Sequence, residues 1–175
     1  GKTAIVNPEG IALGLDVGPV FDRAITEAEI AIGVGDRIVL HTDGAMKVQN
    51  EVGEEFGRHE GLGLLPGTVG AIPPTNDSGR RRKIPHIGWN ALRPADGRDA
   101  WSGGILADTA PGQSVYFVHS FAARPSRPED LRAVADYDGY KVAAVVGHGG
   151  IIGCQFHPEK SGPVGLAMLR RFLSL

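Results

Sequence analysis

The chain has 175 residues, enough for one ordinary hydrophobic core or two small ones. Apolar residues make up 42% and charged residues 22%, the balance of a soluble globular protein, and a formal net charge of −2 argues against nucleic acid or an acidic membrane surface as partner. A single cysteine excludes an internal disulfide and a Cys-rich metal site. No apolar run approaches the ~18 residues of a membrane span. Gly1-Lys2-Thr3 does not open like a signal peptide, so a cytoplasmic setting is expected. Position 1 is not Met, which fits a processed, trimmed or partial chain. The 26 glycines and 12 prolines predict many turns and few long helices.

In chain order, Ala4–Val6 and Ile11–Leu15 are short apolar runs, closed by turns at Asn7-Pro8-Glu9-Gly10 and Gly18-Pro19. Residues 21–32 alternate as a half-exposed strand would. Arg37–His41 is the best strand of this region and ends on Thr42-Asp43-Gly44. A carboxylate at a strand end beside Gly suits a hard cation, but Asp-Gly is also among the commonest turn signals. Gly61–Val69 reads as a strand broken by a turn. Residues 72–83 form a loop with a basic tip, Arg80-Arg81-Arg82-Lys83, read as a solvated flank.

Ile84–Asn90 is a short strand whose Trp89 could line a pocket or an interface. A polar stretch from Arg93 to Gly104 carries Trp101. Val115–Phe121 is a strongly apolar strand, with His119 expected as a hydrogen-bonded core residue. Arg124–Asp130, with two prolines, is a connector. Lys141–Val146 is a strand, His148-Gly149-Gly150 a turn, and Ile151–Phe156 its hairpin partner. Gly162-Pro163 starts a helix over Val164–Leu173, with Leu166, Leu169, Phe172 and Leu173 on its buried face.

The chemistry-bearing stretch is Gly153-Cys154-Gln155-Phe156-His157-Pro158-Glu159-Lys160-Ser161. If the strand continues to His157, Ile152, Cys154 and Phe156 share one face, and Gly153, Gln155 and His157 the other. Glu159, two residues beyond, can take the Nδ1 proton of His157 and leave Nε2 as a base. That is two-thirds of a nucleophile–base–orienter triad. Cys154 faces away from His157 on such a strand and reads as a buried apolar-face residue.

This string resembles the His/Glu end of class I glutamine amidotransferases. With Pro85-His86-Ile87-Gly88-Trp89-Asn90, Tyr116-Phe117-Val118-His119-Ser120-Phe121 and Lys160-Ser161, residues 58–175 resemble the glutaminase subunits of imidazole-glycerol-phosphate synthase, in histidine biosynthesis. The resemblance implies glutamine hydrolysis supplying ammonia to a cyclase partner, with His157 as base and Glu159 as orienter. It implies that Trp89 and Lys160 face the cyclase and that no cofactor is needed. The family's Gly-x-Cys-x-Gly nucleophile turn and its Pro-Gly-Val-Gly-type oxyanion loop are not in this sequence, so no activity is expected from the chain alone.

Residues 1–57 carry different strings: Gly10–Asp16, Gly35–Gly44 and Gly53-Glu54-Glu55-Phe56-Gly57. They resemble the C-terminal part of bacterial sporulation and stress-regulator-type metal-dependent Ser/Thr protein phosphatases, which implies Asp43 as a ligand of Mn or Mg. The other carboxylates that a two-metal site needs are missing. The two resemblances meet at Glu54-Glu55-Phe56-Gly57, as in a chimera of a partial phosphatase-like segment (1–57) and a partial amidotransferase-like segment (58–175). The expected fold is α+β: a β-rich mixed sheet of short strands with one C-terminal helix, an incomplete amidotransferase α/β portion. Three readings stand: an amidotransferase, a non-catalytic remnant that docks on a partner, and a metal-dependent phosphatase fragment.

Overall fold

The computed structural model describes residues 31, 33, 47–49, 58–59, 63–95, 101 and 103–175. The chain divides into two compact units, Gly1–Leu40 and His41–Leu175, and the architecture below belongs to the second. The elements expected at Ala4–Val6, Ile11–Leu15 and Arg37–His41, with Asp43, lie outside the described residues.

Among the described residues, three sheets build this unit. In the first, β1 (Lys47–Gln49), β2 (Arg58–His59), β3 (Gly67–Ala71) and β7 (Phe121–Pro125) run in the order β2-β1-β3-β7. β1 and β3 are parallel and the other pairs antiparallel, so this sheet is mixed. In the second, β5 (Arg93–Pro94), β8 (Leu131–Tyr137), β9 (Tyr140–His148) and β10 (Ile151–Cys154) form an antiparallel meander, β10-β9-β8-β5. The third pairs β4 (His86–Ala91) with β6 (Ser114–His119), antiparallel. The one α-helix among the described residues is α1, Gly162–Ser174.

Both hairpins of the meander follow from turn chemistry. Asp138 and Gly139 have φ of 51° and 82°, so this two-residue loop has the left-handed backbone that matches strand twist. Gly149-Gly150 closes the β9–β10 turn where it was expected, with His148 opposite Ile151. Strand β9 is buried continuously from Val142 to Gly147, the pattern of a strand covered on both faces. Val142 and Ala144 join the main core with Leu92, Val115, Phe117, Phe156 and Met168, whereas Ala143 and Val146 join a second core with Leu65 and Val69.

The apolar run at 115–121 is not one strand. β6 stops at His119, and after Ser120 the chain passes to a different sheet as β7, which takes in Arg124 and Pro125. The Ser120 carbonyl accepts a bond from Ile72 N–H at 2.9 Å, so the switch point is held from β3's side. The connector therefore shrinks to Ser126–Arg127 and a 3-10 turn at Pro128–Asp130.

The helix begins at Gly162-Pro163 as expected, but its buried face is rotated. Gly165 and Met168 are buried, with Val164 and Phe172 packed on the core, while Leu166 and Leu173 are 43% and 64% exposed. The cause is the close approach at Gly165, where a Cβ would lie 2.0 Å from the Pro158 carbonyl oxygen. That contact fixes which face meets the protein, and a neighbour one position on points about 100° away.

The basic tip is not a uniform solvated flank either. Arg82 is 7% exposed and its guanidinium donates to four backbone carbonyls: Tyr137 at 3.2 Å, Thr75 at 2.9 Å, Asp138 at 3.0 Å, and Pro73. It lies over the Tyr140 ring as well, 5.6 Å from its centroid. The planar donor fork of arginine makes this many-armed clamp possible, and it pins the 73–75 loop to the β8–β9 hairpin.

Candidate active site

Strand β10 delivers the His157 region but does not reach it. The expected continuation of the strand to His157 fails: β10 ends at Cys154, and the chain bends at Gln155-Phe156. Gln155 N–H makes one more bond to β9, to the Ala144 carbonyl at 2.9 Å. Phe156 then leaves the sheet for the core, 3% exposed, with its ring edge-on to Phe117 at 5.8 Å. The next residue changes partners: His157 N–H donates to the Tyr116 carbonyl of β6 at 3.0 Å.

His157 to Ser161 turns as 3-10 helix, with His157 as N-cap and Pro158 first. Pro158 suits that position because its missing N–H would have no partner there. The turn, not an extended His-Pro-Glu, brings the two side chains together. His157 Nδ1–H donates to Glu159 Oε1 at 2.9 Å. Donation from Nδ1 fixes the neutral tautomer whose basic nitrogen is Nε2. The His157 side chain is 24% exposed and that of Glu159 42%. The hydrogen-bonded His157–Glu159 pair is thus formed within the single turn 157–161.

Cys154 is partly buried and packed against the main core, and burial pushes its thiol up to about 12. A thiol held there carries almost no thiolate near neutrality, and the thiolate is the nucleophile. Among the described residues no group of three or more His, Cys, Asp or Glu side chains could hold a metal ion.

Trp89 and Lys160 are both exposed, Trp89 at 57%. Trp89 stands on the outer face of β4 with its ring edge-on to Tyr116 at 5.9 Å, its cross-strand partner on β6. Ile87 and Val118, another cross-strand pair, are 53% and 38% exposed on that same face. Tyr116 therefore touches Trp89 through its side chain and His157 through its carbonyl. Tyr116 thus links Trp89 to His157, and Glu159 and Lys160 follow His157 in the same turn.

Beneath this face lies a hydrogen-bond chain that single residues did not announce. His119 Nδ1–H donates to the Phe121 carbonyl at 2.8 Å, which leaves its Nε2 to accept from His86 Nδ1–H at 2.9 Å. His86 Nε2 then accepts from the Asn90 amide at 3.1 Å, and Asn90 also donates to the Asp136 carbonyl at 2.8 Å. His86 is stacked between Phe117 and Tyr137, with centroids at 4.8 and 3.9 Å. Burial, and then the neighbouring His119, lower its pKa from 6.5 to about 4. The chain ties all three sheets together. The Asn90 four residues after His86 was the available signal.

A class-I glutamine amidotransferase family model matches residues 46–174. The chain belongs to that family. Among curated relatives, imidazole glycerol phosphate synthase subunit HisH 1 of Legionella pneumophila (strain Lens) is 48% identical over 121 residues, covering 69% of this chain and 57% of the relative. The HisH subunit of Rhodospirillum rubrum is 42% identical over 146 residues, covering 83% of this chain and 64% of the relative. That of Azospirillum brasilense is 39% identical over 167 residues, 88% of this chain and 82% of the relative, an extent that reaches well into residues 1–57. The chain spans 57% of the length of the Legionella relative. The likeness of residues 1–57 to a phosphatase rests on their own strings alone.

Proposed function

We propose that this chain presents the base-and-orienter half of a glutaminase site that serves ammonia to a cyclase partner in histidine biosynthesis. His157 is the base and Glu159 the orienter. The observation that supports this most directly is the 2.9 Å bond from His157 Nδ1 to Glu159 Oε1, formed within one turn. In glutamine hydrolysis a thiolate attacks the side-chain amide, and an imidazole takes the thiol proton and returns it to the leaving ammonia. Thiol, imidazole and carboxylate suffice for this chemistry, so the reading calls for no metal or organic cofactor. The glutamine amidotransferase family match supports the choice of substrate, and the imidazole glycerol phosphate synthase subunits among the relatives support the choice of partner.

The only thiol in the sequence is Cys154, and its packing against the core, which raises its pKa, argues against the nucleophilic role. We therefore infer no turnover by the chain alone, with docking retained. The exposed Ile87, Trp89 and Val118 beside Tyr116 form the apolar centre of the docking face, and Lys160 supplies a charge at its edge. Trp and Tyr are among the residues enriched at interface hot spots. The chimera remains the proposal for residues 1–57, with Asp43 as the residue that would report any metal-dependent phosphatase heritage.

The test is ammonia release from glutamine by the purified chain, with and without a cyclase subunit, repeated for His157→Ala and Cys154→Ser. The expected result is no turnover above the His157→Ala background, together with co-elution that Trp89→Ala abolishes. Turnover lost in both substitutions would make Cys154 the nucleophile and overturn the inactive reading. Failure to co-elute would overturn the docking reading.

A further inference from the structure

We propose that Ser161 is the positioning residue that sets where the His157 imidazole stands, a proposal that rests on the base-and-orienter reading above. In an antiparallel ladder the two residues of a hydrogen-bonded pair exchange two backbone bonds, each N–H to the other's carbonyl. His157 and Tyr116 make only the first directly, His157 N–H to the Tyr116 carbonyl at 3.0 Å. In place of the return bond stands the Ser161 hydroxyl. It accepts from Tyr116 N–H at 3.0 Å and donates to the His157 carbonyl at 2.6 Å.

One hydroxyl is thus inserted into a backbone pair. It holds the His157 carbonyl one atom's width off β6, so that the same carbonyl can also accept from Lys160 N–H at 3.0 Å and close the 3-10 turn. That turn is what folds Glu159 back onto the imidazole. Ser161 is 1% exposed, so its two bonds are not exchanged cheaply for water. The turn is fixed also by Gly165, which lies against the Pro158 carbonyl and Ser161 Cβ too closely to admit a Cβ of its own. The turn is therefore gripped between β6, through Ser161, and the first turn of α1. Without the hydroxyl, Tyr116 N–H must either close on the His157 carbonyl, which rotates the His157 peptide, or stay unsatisfied, while the carbonyl keeps only its bond from Lys160 N–H.

The test is the tautomer of His157 in the full chain, read from ring ¹⁵N shifts at a pH where the imidazole is neutral, with His157→Ala for assignment. The parent is expected to show the Nδ1–H form, and Glu159→Gln to lose it. Ser161→Ala is expected to lower the ratio of Nδ1–H to Nε2–H by roughly tenfold, the size of one hydrogen bond to a charged acceptor. Ser161→Cys fills the space with a weak hydrogen-bonding group and should act in the same direction if the alanine variant does not fold. A parent-like tautomer in a folded Ser161 variant would overturn the proposal, as would failure of both variants to fold. A parent that lacks the Nδ1–H form, or a Glu159→Gln variant that keeps it, would instead sink the base-and-orienter reading.

Discussion

Two histidine–carboxylate pairs flank the β9–β10 hairpin, and on distance alone they are alike. His148, which ends β9, donates to Asp130 Oδ1 at 3.0 Å, and His157, just past β10, donates to Glu159 Oε1 at 2.9 Å. Their settings differ. Asp130 has no exposed surface and also accepts from Arg127 Nε at 2.8 Å. Burial alone would raise its pKa, but the hydrogen bonds from Arg127 and His148 outweigh that and hold it below the usual carboxylate range. His148 itself is 55% exposed. The arrangement is a clasp: a buried anion fastens the 128–130 turn to the tip of the hairpin. At His157 the exposure is reversed, the carboxylate being the more open partner, and the pair sits beside the face that carries Trp89. A short His–carboxylate distance does not by itself mark chemistry. What surrounds the carboxylate decides whether the pair fastens the fold or orients a base.

The strongest way to break the comparison is to remove what both pairs share. Phe156 anchors the end of the hairpin in the core against Phe117. Phe156→Ala should cost about 3–5 kcal/mol, measured by urea unfolding, and it should disturb His157 more than His148, which is tied down independently by Asp130. Next in size, Asp130→Asn should lower the urea midpoint clearly more than Glu159→Gln, because it leaves a buried site with Arg127 and His148 no longer facing an anion. Equal midpoints for the two variants would erase the distinction between clasp and orienter.

The two pairs were not equally legible in the sequence. His157 and Glu159 are two residues apart, so the turn between them and their mutual reach could be read locally. Asp130 and His148 are 18 apart and Ser161 and Tyr116 are 45 apart, and only the sheet pairing brings them together. The Arg80–Lys83 run looked uniform because charge counts do not show which guanidinium finds four carbonyls. The helix was visible from Gly162-Pro163, and Phe172 packs on the core as expected, but Leu166 and Leu173 do not: leucine spacing does not reveal that Gly165 must press on Pro158. The same limit applies to β6 and β7, whose continuous apolar sequence hides a change of sheet at Ser120.

Acid sharpens the comparison from a different side. His86 has its folded pKa lowered from 6.5 to about 4, so the unfolded chain takes up a proton there before the folded one does. Stability from this site is complete above pH 6.5 and falls as pH drops towards about 4. Asp130 adds a second, lower window. Its folded pKa lies below 3.8, so its contribution is complete above that value and is lost as pH falls through the folded pKa. A urea-midpoint profile should therefore decline in two stages, and Asp130→Asn should flatten only the lower one.

The smallest expected effect is the most discriminating. Glu159 is 42% exposed at its side chain, and substitutions at such positions usually shift stability by no more than about 0.5 kcal/mol. Glu159→Gln should thus leave the unfolding curve nearly unchanged while altering the His157 tautomer, because an amide can no longer hold Nδ1–H as a carboxylate does. A clasp would behave in the opposite way, losing stability when its acceptor is neutralised. If Glu159→Gln instead destabilised the fold as Asp130→Asn is expected to, the turn at 157–161 would be a second clasp, and the site would have to be sought elsewhere along the face that carries Trp89.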